Sequence, residues 1–132
     1  KAKRSAVFEV TLWPSPAAAH SAFNALSGPG AAGCIQSTFQ SLLLSNGYRA
    51  SVTANEVPPP PAGGNPAVAY AETVRASNGT SQFDGTVVFF IHGTASVLIN
   101  GVSVGGPFPP DLLSSLVATV AHRVNAATPG TR

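Results

Sequence analysis

Between Ala6 and Leu12 apolar and polar side chains alternate, with Ala6, Phe8, Val10 and Leu12 on one face and Glu9 and Thr11 on the other. This is the period-two pattern of a half-buried strand. Trp13-Pro14 closes the strand, and the period then lengthens to that of a helix. Ser15 can accept from the orphan amides of a first turn, and Pro16 loses nothing there by lacking an N–H. A helix over 16–26 follows, with Ala19, Ala22, Phe23 and Leu26 on one side. Ser27-Gly28-Pro29-Gly30 breaks it. A second helix over 31–45 carries Ile35, Phe39, Leu42 and Leu43 at helical spacing and stops at Asn46-Gly47.

Beyond that stop Tyr48, Ala50, Val52 and Ala54 alternate with Arg49, Ser51 and Thr53, a second strand with one wet face. The segment from Pro58 to Pro66 holds four consecutive prolines and two glycines, which suit a stiff exposed loop. A third strand spans 67–76, with Val68, Tyr70, Glu72 and Val74 on one face and Ala67, Ala69, Ala71, Thr73 and Arg75 on the other. Ser77-Asn78-Gly79-Thr80 reads as a turn. Thr86 to His92 is a fourth strand, apolar on both faces through Val87, Val88, Phe89, Phe90 and Ile91, and therefore central. His92-Gly93-Thr94 turns the chain into a strand over 96–99. Asn100-Gly101 is a hairpin signal, because both central residues of that turn need positive φ, and a short strand over 102–104 follows. The last helix is marked at its start by Pro107, Pro109 and Pro110, holds Asp111 in its first turn, and places His122 and Arg123 near its end. Its stripe is Leu112, Leu113, Leu116, Val117, Val120 and Val124.

This order predicts an α+β fold, a mostly antiparallel sheet of four to five strands with about three helices packed on one face. One domain over 5–127 accounts for it, with residues 1–4 and 128–132 as flexible ends. The composition fits a folded chain: of 132 residues 44% are hydrophobic and only 9% charged, the latter well under the roughly one quarter of ordinary domains.

Charge narrows the function. The formal +2 depends on Lys1, Lys3 and Arg4; the remainder has four Arg against five acids, or −1. No basic stripe interleaved with aromatics exists, so nucleic acid is not an expected partner. No apolar run reaches the length of a membrane span, so any membrane attachment is expected from a segment outside this chain. The single Cys34 allows no internal disulfide and no thiolate cluster, and reads as a small buried apolar residue of the second helix.

Catalytic signals are equally sparse. His20, His92 and His122 do not fall into a metal-ligating pattern, and no Ser lies in a nucleophile elbow. No catalytic residue, metal or cofactor is therefore expected. The polar residues worth following are Tyr70, Glu72 and Arg75 of the third strand and His92 at the end of the fourth, as ligand-binding candidates. Glu72, if buried beside Tyr70, could bind a polar group or act as a base. An apolar cavity lined by Phe23, Phe39, Phe89 and Phe90 would favour ligand or lipid binding, whereas a cleft gathering Glu72, Tyr70 and a histidine would favour catalysis.

The Ser-Pro-Ala-Ala-Ala helix start at 15–19, Cys34 in the second helix, and Gly106-Pro107-Phe108-Pro109-Pro110-Asp111-Leu112-Leu113 leading to Ala121-His122-Arg123 together resemble actinobacterial extracytoplasmic domains. These are similar to the sensor domains of PknH-type serine/threonine kinases and to related secreted or lipoprotein domains. The resemblance implies a non-catalytic extracytoplasmic sensor of a bacterial envelope protein, secreted or membrane-anchored, that binds a small molecule, lipid or envelope protein in a cleft between helices and sheet. The sensor domains are disulfide-stapled, whereas this chain has one cysteine. The competing expectation is a small lipid-binding carrier or an α+β enzyme with a site near the third strand.

Overall fold

The computed structural model describes residues 3–77 and 82–127. Its elements run β1 (Lys3–Leu12), α1 (Pro16–Ser27), α2 (Ala31–Ser45), β2 (Ala50–Val57), β3 (Ala67–Ala76), β4 (Gln82–His92), β5 (Ala95–Val104) and α3 (Pro110–Ala127). The strands form one antiparallel sheet in the order β1-β5-β4-β3-β2. The α+β class and the central place of β4 are as the pattern predicts.

Residues opposed across an antiparallel ladder project to the same side, so the register assigns every strand residue to a face. Phe8, Ile99 and Val88 lie in one such row, and Glu9, Leu98, Phe89 and Val68 in another on the opposite side. The first side is covered by α3: Val88, Phe90, Val97, Ile99, Phe108, Leu113, Val117, Ala121 and Val124 form its core. The second is covered by α1 and α2, where Val68, Tyr70 and Val87 meet Ala31, Phe23 and Ile35. The helices are thus divided between both faces, not gathered on one. The run Val87 to Ile91 needs this arrangement, since an apolar strand on both faces requires cover on both.

Local chemistry sets most boundaries. Ser15 Oγ accepts from Ala18 N at 3.1 Å and caps α1, with Pro16 in its first turn. Gly30 at φ 85° opens α2, and Gly47 at φ 83° follows its end. Gly93 at φ 59° supplies the β4–β5 turn.

Four expectations are corrected. Asn100-Gly101 makes no hairpin: β5 runs unbroken through it, paired with β1 on one side and β4 on the other. A Cβ at Gly101 would come within 2.9 Å of the Phe108 ring, so this glycine makes room for an aromatic. Lys3 and Arg4 are not a flexible end but part of β1, opposite Val104 and Ser103. Helix α3 continues to Ala127, which leaves His122 and Arg123 before its last turn. Cys34 is exposed. The other expected flexible residues, 1–2 and 128–132, and positions 78–80 of the predicted turn lie outside the described residues.

The sheet's two edges differ. At β2, Gln36 of α2 reaches over and its Oε1 accepts from Ala54 N at 3.1 Å, so a helix covers part of that edge. At β1, the alternating face predicted to be half buried is largely open, with Phe8 63% and Leu12 71% exposed.

Candidate functional site

The β3 strand delivers Tyr70 and Glu72 to the face under α1 and α2, two residues apart on the same side. Tyr70 is buried and its hydroxyl donates to the Leu26 carbonyl, fastening the end of α1 to the sheet. Burial, and secondarily the charge of Glu56, raises its phenol above the ordinary value, which keeps it a neutral donor. Glu72 is 6% exposed, and desolvation alone lifts its carboxyl above the usual carboxylate range.

Glu72 has no side chain directly opposite it on β4, where its partner is Gly85. A Cβ there would lie 3.3 Å from the Gly101 carbonyl, 3.6 Å from Asn100 Oδ1 and 3.7 Å from Val102 Cγ2, so β5 packs closely over this glycine and brings Asn100 near it. Asn100 Oδ1 is itself buried without a hydrogen-bond partner among the described residues.

Above this floor lies a groove of about 380 Å³, within the range of small-molecule sites. Its α-helical wall comprises Leu26, Cys34, Ile35, Thr38, Phe39 and Leu42, and its sheet wall Val87, Phe89 and Leu98 beside Glu72 and Asn100. A smaller cavity of about 190 Å³ shares Leu26, Phe89 and Leu98 with it and extends toward Phe23, Trp13 and Glu9. Trp13 is held there by an Nε1–H bond to Ser96 Oγ at 2.9 Å.

The other two candidates are elsewhere. Arg75 lies on the opposite face, exposed, where its guanidinium donates to Gln82 Oε1 at 2.8 and 3.2 Å. His92 also lies on that face, ten residues along β4 from Gln82, roughly 33 Å of strand. Its Nδ1 is 2.9 Å from Asn65 Oδ1. Because Asn65 Nδ2 already donates to the Ala62 carbonyl and to Asn125 Oδ1, Asn65 Oδ1 is the acceptor and His92 the donor. Asn125 Nδ2 in turn donates to the Gly63 carbonyl. His92 thus belongs to a network that ties the proline-rich loop to α3.

The structure brings Tyr70 and Glu72 together and separates them from Arg75 and His92. Of the four phenylalanines expected around a cavity, Phe39 and Phe89 line the groove, and Phe23, Phe89 and Phe90 border its smaller neighbour, Phe90 also belonging to the α3 core. No histidine lines the groove. Asn100 is the site residue that sequence reasoning missed, hidden behind its apparent turn signal.

No family model matches the chain, and no curated protein matches it. Among solved structures, one described as the crystal structure of Ara h 8.0201 matches at 12% identity, covering 95% of each chain, with a TM-score of 0.34.

Proposed function

We propose that this chain is a non-catalytic binding module whose groove between α1–α2 and the sheet receives an apolar small molecule or a single lipid chain. The observation that carries the reading is the composition of the groove: a mostly apolar wall with buried Glu72 and half-buried Asn100 on its floor. Sites of this kind use apolar contact for affinity and a few convergent polar groups for orientation. Catalysis gains no support, because no histidine lines the groove to act with Glu72 on the Cys34 thiol or the Thr38 hydroxyl. An extracytoplasmic place in a bacterial envelope protein, as sensor or carrier, is the setting that the sequence resemblance suggests for such a module.

The test is saturable binding of N-phenyl-1-naphthylamine, a neutral apolar dye that brightens on leaving water. One site per chain is expected, weakened at least about tenfold when Thr38→Trp narrows the groove mouth. A dye signal that does not saturate, or that Thr38→Trp leaves unchanged, overturns the reading.

A further inference from the structure

The groove floor holds two polar side chains, the carboxyl of Glu72 and the amide of Asn100. Asn100 Oδ1 is a buried acceptor with no donor among the described residues, although the same amide also carries an N–H donor, and Glu72 is an acceptor whenever it is ionised. A buried acceptor left unpaired is unfavourable, so a ligand that brings donors gains more than one that brings a further acceptor.

Charge across the sheet points the same way. Glu9, Glu56 and Glu72 all project to the α1–α2 face, as their register with Leu98, Tyr70 and Gly85 shows. Arg4 and Arg75 project to the other face, being opposed to Ser103 and Gln82, and Arg123 is on α3. Neither α1 nor α2 carries a Lys, Arg, Asp or Glu. Lys3 shares the acidic face but sits on β1, three strands and roughly 14 Å from the β3 strand of Glu72. Arg49 precedes β2 at the end away from Glu56, and neither cation lines the groove.

We propose that the groove selects an amphiphile with a cationic, hydrogen-bond-donating head of the alkylammonium type. The chain lies along Ile35, Phe39, Phe89 and Leu98, and the head lies against the Glu72 carboxyl on the groove floor. An ammonium supplies three donors, one or two of which meet Glu72, with opposite charge strengthening the bond. A fatty carboxylate supplies no donor and brings like charge to the acidic face. This inference rests on the binding reading above and adds the chemistry of the head.

Displacement of the bound dye by dodecylammonium, dodecanol and dodecanoate, each below its micelle-forming concentration at neutral pH, tests it. Dodecylammonium is expected to compete better than dodecanoate by roughly tenfold or more. Glu72→Gln, which keeps the shape and removes the charge, should bring dodecylammonium and dodecanol to within about threefold of each other. Equal or better displacement by dodecanoate, or a preference unaltered by Glu72→Gln, overturns the head assignment. If the dye binds one site yet all three chains displace it equally, the apolar reading stands and this inference falls. If the dye finds no site, both fall.

Discussion

Glu72 is a carboxyl placed in an apolar layer. Across from Gly85 and under α2 it is nearly withdrawn from water and has its proton affinity raised by desolvation alone. A carboxyl whose folded pKa exceeds its unfolded value binds more protons in the folded state. Its contribution is fully present below the unfolded value, about pH 4.3, and is lost as pH rises through the folded one. Glu72→Gln removes a group that opposes folding at neutral pH. The variant should therefore melt a few degrees higher than the parent at pH 7, roughly 2–5 °C, with the difference shrinking toward pH 4. Thermal unfolding followed by circular dichroism at both pH values checks this. A gap that stays constant with pH would place the effect in packing instead of ionisation.

Elements were legible where local chemistry decides them and obscure where the partner strand or layer does. The Ser15 cap, the Gly30 and Gly47 boundaries of α2 and the Pro110 start of α3 are written in a few neighbouring residues. Asn100-Gly101 misleads because its turn preference is a modest local term. Ten paired positions with β1 on one side and ten with β4 on the other outweigh it. The pair instead serves two layers at once: Asn100 faces the groove, and Gly101 admits Phe108 on the α3 side. Gly101→Val should destabilise the protein by about 2–4 kcal/mol, because the added branch displaces a buried ring. The double variant with Phe108→Ala should cost less than the two single variants together. Chemical denaturation of the four forms measures that coupling. The alternation of β1 likewise signals a buried face, but the strand lies at the sheet edge with that face uncovered. Phe8→Ser is accordingly expected to cost under about 1 kcal/mol, whereas Phe90→Ala, fully buried beneath α3, should cost about 3–5 kcal/mol. Equal costs would mean that β1 is covered in solution. Glu72 could be found in the sequence by its place in an apolar strand; its position opposite Gly85 and beside Asn100 could not, since that needs the register of three strands.

At the scale of the molecule, two layers of unequal strength flank one sheet. Helix α3 buries Leu113, Val117, Ala121 and Val124 and is tied to the loop before β3 by the Asn65–Asn125–Gly63 bonds. Helices α1 and α2 bury only Ala19 and Ala31, and Leu42 and Leu44 of α2 remain exposed. They are held by Tyr70 at Leu26 and Gln36 at Ala54. Segments with few buried contacts open at lower free energy than the core. The layer that roofs the groove is thus the one able to move, and a ligand filling the space beneath it supplies the apolar contact it lacks. Native-state hydrogen exchange should show the amides of α1 and α2 exchanging at least about tenfold faster than those of α3 and β4. Saturation with dodecylammonium should then slow the α1–α2 amides selectively, by a factor approaching that set by ligand excess over Kd. Protection spread evenly over all three helices would mean that the ligand stabilises the global fold without closing this roof. Protection confined to α3 would place the ligand on the other side of the sheet.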